Sequence, residues 1–187
     1  MSRQAARIFD EYLAACARAG DRAAFAQLAE RWQPKLLAHA FRLTGEHEIA
    51  RDVVQDAWAD IVKGLYRLDD ARAFPAWAYR IVTRRTADMI RKRQHGRRLD
   101  EAFAAEPHDE SAAAAKIEAG ADGEPLRAAL NELPAEQRAA VALFYIEDFS
   151  VAEIAAALNI PAGTIKTRLM HARRKLRAAL EGGPSNG

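Results

Sequence analysis

The C-terminal part of the sequence carries a run of hydrogen-bond donors of the kind that binds DNA. Six lysines or arginines and no acidic residue lie between Ile154 and Leu180. Donor-rich side chains near the N-terminus of a recognition helix suit the base edges and phosphates of the major groove, and a helix N-terminus itself favours a phosphate. The pattern therefore predicts a surface for duplex DNA with these candidate contacts: Gly163, Thr164, Lys166, Thr167, Arg168, His171, Arg173, Arg174 and Arg177.

The residues before this run predict a helix-turn-helix. Ser150 and Glu153 have the spacing of a capping box, in which each side chain bonds the other residue's backbone N–H. Asn159 stands where the turn needs a left-handed residue, and Pro134 suits the start of an earlier helix. A basic helix that only faces solvent is the alternative. DNA binding is favoured because the capping box, the turn and the basic helix coincide in one segment.

A second basic segment combines aromatic rings with guanidinium groups. Seven basic residues and one acid lie between Arg84 and Arg98, and aromatic residues precede them. Bases stack on rings while arginines hold phosphates, so this segment suits single-stranded nucleic acid. Its candidate residues are Trp77, Tyr79, Arg80, Arg84, Arg85, Asp88, Arg91 and Lys92. Each aromatic residue is equally well placed to be core, since Trp77 and Ile81 lie four positions apart on one helical face.

A stripe of acidic and amide side chains lies on the helix predicted for residues 46–65. The residues Asp52, Gln55, Asp56 and Asp60 share one face, while Ile49, Val53, Ala57, Trp58, Ile61 and Val62 are expected to be buried. A metal site is excluded because like charges at this spacing repel without a cation and no histidine lies at ligand spacing. The stripe is then either a solvated face or a docking surface for a basic partner.

Composition and charge indicate which elements must position these residues. Half of the 187 residues are hydrophobic, and glycine and proline are sparse, which favours helices. Residues 101–124 hold seven acids and one lysine with almost no large apolar side chain, so they cannot form a core. We expect an all-α fold of two small helical domains joined by a flexible acidic linker. The expected boundaries are a lead-in at 1–22, domains at 23–95 and 125–182, a linker at 96–124 and a tail at 183–187.

Several classes of function are disfavoured. Cys16 is the one cysteine, so neither an internal disulfide nor a cysteine-based metal cluster is expected. The sequence has no Ser/His/Asp constellation, no glycine-rich phosphate loop and no metal-ligand spacing, so we expect no enzyme, cofactor or small-molecule substrate. No signal peptide and no run of about 20 apolar residues is present, which predicts a cytoplasmic protein without membrane insertion.

Several of these motifs together resemble a known family. The segments Leu130–Arg138 (LNELPAEQR), Phe149–Ala155 (FSVAEIA) and Ile160–Leu169 (IPAGTIKTRL) resemble region 4 of the extracytoplasmic-function (ECF) sigma factors. Upstream, Asp52–Asp56 (DVVQD) resembles region 2.2, and Phe74–Arg93 resembles regions 2.3 and 2.4. The resemblance covers nearly the whole chain from Ala24 to Leu180 except the acidic linker, with the motifs in the family's order.

The resemblance implies a set of partners. Asp52, Gln55 and Asp56 match the positions that dock on the coiled coil of the polymerase β′ clamp. The loop Gly64–Ala73 and the helix after it match the surface that melts and reads the −10 element. Region 4 would read the −35 element as duplex and contact the β flap of core RNA polymerase. An anti-sigma factor is a further partner of many members.

One pair of residues departs from the pattern of the family. Many family members carry Arg-Asn where this chain has Thr83-Arg84, which affects how the −10 element is read.

The alternative function is a conventional dimeric helix-turn-helix regulator with an N-terminal sensor domain. That alternative explains residues 134–180 but neither the aromatic and basic segment around Trp77 nor the stripe on Asp52–Asp56. It also predicts self-association on a symmetric operator.

Overall fold

The computed structural model describes residues 3–103 and 124–181. Within these ranges the regular elements are all helices, in agreement with the predicted all-α class. The order is α1 (Arg3–Arg18), α2 (Arg22–Thr44), α3 (His47–Gly64), two short 3-10 helices (Leu65–Arg67 and Ala71–Ala73), α4 (Phe74–Phe103), α5 (Glu124–Asn131), α6 (Ala135–Tyr145), α7 (Val151–Leu158) and α8 (Ala162–Glu181). None of the described helices is long and apolar enough to cross a bilayer.

Part of the expected acidic linker belongs to a helix. Helix α4 continues to Phe103, so the first residues of the 96–124 segment extend the helix that carries the basic cluster. Glu124 begins α5. Residues 104–123, where the linker is expected, lie outside the described residues.

Helices α1–α4 form the first domain around a group of aromatic side chains. The ring of Trp32 packs edge-on against Phe74 at 5.2 Å and against Tyr79 at 5.6 Å between centroids. All three side chains are almost completely buried, together with Leu28 and Leu36 of α2. Asp21 caps α2 by accepting hydrogen bonds from the backbone N–H groups of residues 23 and 24, which fixes where the helix begins.

Helices α5–α8 form the second domain. Ile154 of α7 and Ile165 of α8 are fully buried with Leu143 of α6, so the three helices share one core. Asn159 ends α7 in the left-handed conformation at φ 55°, the turn geometry predicted from its residue type. The second domain is therefore the helix-turn-helix unit predicted from the sequence.

The two domains pack against each other in the described structure. The Tyr79 ring of α4 meets Phe149, which precedes α7, at 5.5 Å with the ring planes at 76°. Lys35 Nζ of α2 lies 3.1 Å from Glu147 Oε2, and Arg7 of α1 pairs with Glu153 of α7. Buried side chains from both domains consequently form one continuous apolar cluster.

Polar groups are buried beside this contact. The Thr83 hydroxyl donates to the Tyr79 carbonyl at 2.9 Å and lies 3.0 Å from His39 Nε2, so Nε2 is the donor of that pair. Among the described residues, His39 Nδ1, Arg42 Nη1 and Arg138 Nε then have no hydrogen-bond partner. Burial, and next the charge of Arg42, lower the pKa of His39 from 6.5 to about 3. The imidazole is therefore neutral in the folded protein at physiological pH.

This burial predicts a pH dependence of stability. Below pH 6.5 the unfolded chain protonates His39, whereas the folded chain does not until the pH approaches 3, so protons favour the unfolded chain. The free energy of unfolding should fall as the pH drops from about 7.5 to 5. In His39→Gln this part of the pH dependence should be missing. Urea unfolding of both proteins at several pH values measures it, and identical pH slopes would contradict the assignment.

Candidate nucleic-acid interface

The turn chemistry of the second domain determines how α8 is presented. Ser150 Oγ accepts a hydrogen bond from Glu153 N at 3.2 Å, and Glu153 Oε2 accepts one from Ser150 N at 2.8 Å. This is the predicted capping box, and it fixes the start of α7. Helix α8 then packs on α6 and α7 through Ile165, Leu169 and Ala172, which are all buried. The face of α8 opposite these three residues is thereby turned outward.

The outward face of α8 presents five residues at helical spacing. They are exposed, and their order along the helix is Gly163, Thr167, Met170, Arg174 and Arg177. Four of the five belong to the predicted DNA surface. Met170, with 57% of its area exposed, was missed because a methionine in a helix is usually core. The position of Met170 on the helix, directly opposite Ile165 and Ala172, indicates that it faces outward. Its thioether can make apolar contact with a thymine methyl group.

Two predicted DNA contacts on α8 are held by α6 instead. Arg168 is ion-paired with Glu136, and its side chain is 21% exposed, so a base contact requires that pair to break. Arg173 Nε donates to Tyr145 Oη at 2.8 Å, and its guanidinium group lies over the rings of Phe144 and Tyr145. His171 is half-buried, whereas Thr164 and Lys166 are exposed near the start of the helix. A base contact by Arg168 therefore suits the geometry less well than a base contact by the outward face of α8.

The aromatic side chains of α4 are placed differently from the prediction. Tyr79 is completely buried, because α4 packs on the first domain with one face and on α7 and Phe149 with the next. It cannot stack on a base in this arrangement. Trp77 is half-buried, and its ring lies so close to Gly64 that an added Cβ there would come within 2.9 Å of it. Arg80 is exposed.

The arginines of α4 are largely paired within the protein. Asp60 of α3 accepts hydrogen bonds from Arg84 Nη2 at 3.0 Å and from both Arg85 Nε and Nη2 at 2.7 and 2.6 Å. The hydrogen bond from Arg85 is the main reason why the pKa of Asp60 is lowered. Arg91 pairs with Asp88 on the same helix, and Lys92 is exposed. Asp60 thus belongs to the basic surface of α4 rather than to a free acidic stripe.

The remaining acidic face of α3 lies where it was predicted. Asp52, Gln55 and Asp56 are all exposed on one side of the helix. Beside them an apolar groove runs between α2 and α3, lined by Phe25, Ala29, Glu30, Gln33, Trp58, Ala59, Val62 and Lys63. The expectation that Val62 is buried was wrong, since 57% of it is exposed. The acidic face and the groove form one surface with both charge and apolar area.

No group of three histidine, cysteine or carboxylate residues in the described ranges could hold a metal ion. The described residues present three surfaces: a basic outward helix, a basic helix with its neighbouring loop, and an acidic face with an apolar groove.

Comparison with known proteins gives two family matches in chain order. Residues 28–96 match the family described as sigma-70 region 2, and residues 123–176 match the family described as sigma-70, region 4. The first match contains the acidic face of α3 and most of α4, and the second contains the helix-turn-helix. A curated relative, the ECF RNA polymerase sigma factor SigW of Bacillus subtilis, is 31% identical over 174 residues. That alignment covers 86% of this chain and 91% of SigW.

Two solved structures have a similar fold. The sigma factor RpoE of Bartonella quintana, crystallised with the anti-sigma factor NepR, aligns with a TM-score of 0.64 at 27% identity, over 86% of this chain and 98% of that one. CnrH, solved in complex with the cytosolic domain of CnrY, aligns with a TM-score of 0.62 at 28% identity, over 94% of this chain and 99% of that one.

The outward face of α8 predicts different roles for its early and late residues. Arg174→Ala should weaken binding to every duplex equally and lower the slope of log affinity against log salt by about one unit, because a phosphate contact carries no sequence information. Met170→Ala should instead alter the preference at one base pair. Binding to a set of single-base duplex variants at two salt concentrations measures both effects. Arg22→Ala, on an exposed arginine of α2, is the control. A changed sequence preference in Arg174→Ala would contradict this division.

Proposed function

Because the chain belongs to the ECF family of RNA polymerase sigma factors, we propose that each of its exposed surfaces has its own partner in transcription initiation. The protein is an alternative sigma factor that binds core RNA polymerase and promoter DNA and directs promoter-specific transcription. The observation that carries the assignment of surfaces is that all three stay accessible while the two domains are packed together. We infer that the chain acts as an initiation factor rather than as an enzyme, in the cytoplasm with its polymerase.

The acidic face of α3 is assigned to core polymerase. Asp52, Gln55 and Asp56 contact the coiled coil of the β′ clamp, and the neighbouring groove around Trp58 receives apolar side chains from the same partner. Acidic side chains beside an exposed apolar groove suit a basic amphipathic partner, because charge steers the encounter and apolar area stabilises the complex. The face lies on the far side of the residues that α3 buries, so docking needs no change in the first domain.

The two basic surfaces are assigned to the two promoter elements. The outward face of α8 enters the major groove of the −35 duplex, and the domain of residues 125–182 also rests on the β flap. Helix α4 and the loop before it, in the domain of residues 23–95, bind the melted −10 strand through Arg80, Lys92 and the exposed parts of the loop. Thr83 and Arg84 stand where many family members carry Arg-Asn. Both side chains have contacts within the first domain, since Thr83 contacts His39 and Arg84 contacts Asp60.

The packed arrangement cannot be the one that reads a promoter. The −35 and −10 elements are about 25 base pairs apart, or about 85 Å at about 3.4 Å per base pair. At about 1.5 Å per residue, the longest helix of the first domain, the 30-residue α4, is about 45 Å long, and that of the second domain, the 20-residue α8, is about 30 Å long, so two domains in contact span about 75 Å at most. We therefore infer that the domains separate when both elements are bound. Partners of the kind seen with RpoE and CnrH, including an anti-sigma factor, are proposed to act on this equilibrium.

The alternative of a dimeric regulator fits less well. It leaves the acidic face of α3 and the sigma-70 region 2 match without a role. Transcription of genomic fragments by core polymerase, by this protein and by their mixture separates the two functions. Initiation at defined start sites from the mixture alone supports the sigma function, whereas symmetric DNA protection by a dimer without polymerase supports the alternative.

The docking assignment predicts the effect of charge reversal. Asp52→Lys with Asp56→Lys should abolish binding to core polymerase and leave the helical content unchanged. Both side chains are exposed, so they contact the partner and not the core of the domain. The matched control is the reversal of two other exposed acids, Glu11→Lys with Glu132→Lys. Fluorescence anisotropy of labelled protein against core measures the affinity. Equal loss in both double variants, or none in the first, would contradict the assignment.

Domain separation predicts the effect of a cross-link. Lys35→Cys with Glu147→Cys, in a Cys16→Ser background, places two thiols at the edge of the domain contact, where the native side chains are 3.1 Å apart. After reaction with a short bismaleimide, the protein should still bind core but should lose most initiation at a promoter with both elements. The two single-cysteine variants treated in the same way are the controls. Normal initiation by the cross-linked protein would show that the domains need not separate.

A further inference from the structure

Helix α1 holds the loop between α3 and α4. Arg18, the last residue of α1, donates from Nη1 to the carbonyl oxygens of Leu68 at 2.6 Å and Asp69 at 2.7 Å. Helix α1 also packs on both short 3-10 helices of the loop. The bonds come from a residue some 50 positions earlier in the sequence, so α1 joins the loop to the body of the first domain.

The two bonds fall where the loop has least structure of its own. Leu68 N donates to Leu65 O at 3.1 Å and closes the first 3-10 helix. Asp70 caps the second by accepting from Arg72 N at 2.9 Å. The carbonyl groups of Leu68 and Asp69 lie between these two turns. A guanidinium group that bonds both carbonyls therefore fixes how one turn is oriented relative to the other.

The first turn presents an aromatic ring to solvent. Tyr66 is 61% exposed, although its neighbour Leu65 is buried in the core. The guanidinium group of Arg67 lies over the Tyr66 ring at 5.1 Å from the centroid, and Arg67 Nε donates to Tyr66 Oη at 2.7 Å. An exposed ring beside a cation is the combination on which unpaired bases stack. Among the aromatic residues expected to stack on single-stranded DNA, Tyr79 is buried and Trp77 half-buried, whereas Tyr66 is free to do so.

We propose that Arg18 is a positioning residue for promoter reading, which holds the loop so that Tyr66 and Arg67 receive an unpaired base of the melted −10 strand. The inference rests on the proposed function, and it adds a residue outside both sigma-70 family matches, since the first of them begins at residue 28. A loop held in its binding geometry loses less conformational freedom when the strand binds. Arg18 therefore acts through the loop and touches no nucleotide itself.

The test uses the holoenzyme and a fluorescent single-stranded −10 oligonucleotide with its single-base variants. Arg18→Ala should weaken binding about three- to tenfold, the cost of ordering about one or two side chains on binding, and should narrow the differences among the base variants. Arg18→Lys, which retains one point donor, should fall between the alanine variant and the unmodified protein. Arg22→Ala should have no effect. Affinity for core and the binding of −35 duplex should stay unchanged in all variants.

A double-mutant cycle separates positioning from general stability. Tyr66→Ala should weaken strand binding, and adding Arg18→Ala should weaken it little further, because the two residues act through one contact. Additive effects, reduced core affinity in Arg18→Ala, or unchanged strand binding in Arg18→Ala would each overturn the inference. If the unmodified holoenzyme itself fails to bind the strand, the proposed function fails instead. Melting temperatures of all variants identify any loss of folding. If Arg18→Ala does not fold, strand binding by Arg18→Lys is compared with that of the unmodified protein instead.

Discussion

The arrangement of the whole chain depends on helix α4 being buried on two sides. Tyr79 contacts Trp32 and His39 of the first domain at 5.6 and 4.9 Å, and Phe149 of the second domain at 5.5 Å. One aromatic side chain thus belongs to the cores of both domains. Since α4 also carries the basic residues Arg80, Arg84, Arg85, Arg91 and Lys92, packing on two faces leaves the remaining surface of its described part to meet nucleic acid. The face chosen for packing therefore decides the face left for binding.

The contact between the two domains also buries polar groups that have no hydrogen-bond partner among the described residues. Arg138 of α6 donates to the backbone carbonyl of Arg42 in α2 at 3.4 Å. Burial, and then the positive charge of Arg42, lower the pKa of Arg138. Each buried donor or acceptor without a partner costs about 1–3 kcal/mol relative to one that reaches water. Separation of the domains hydrates these groups, and this hydration offsets part of the free-energy cost of exposing apolar area. The interface is consequently suited to a contact that forms and opens rather than to a permanent one.

Features set by neighbours in the sequence were predictable, and features set by distant neighbours were not. The capping box at Ser150 and the left-handed Asn159 follow from residue types a few positions apart, and the exposure of Asp52 and Asp56 follows from helical periodicity. The burial of Tyr79 depends on Phe149, the position of Arg168 depends on Glu136, and the use of Asp60 depends on Arg85. Each of these pairs joins residues from different parts of the fold, and in none of them do both residues belong to one helix. Helical periodicity gives the face of a residue on its own helix but not which helix will cover that face.

The domain contact has a consequence for the order of events during synthesis. Phe149 follows Tyr79 by 70 residues (149 minus 79), so at about 5–20 residues per second the ribosome needs about 4–14 s to add it. By the time Phe149 is added, α1 to α4, with the acidic face of α3, have all been synthesised, while the side of α4 at Tyr79 is still uncovered. The nascent first domain is thus open and able to dock before the second domain exists to close it. Each newly made chain passes once through the open state without any partner having to separate its domains.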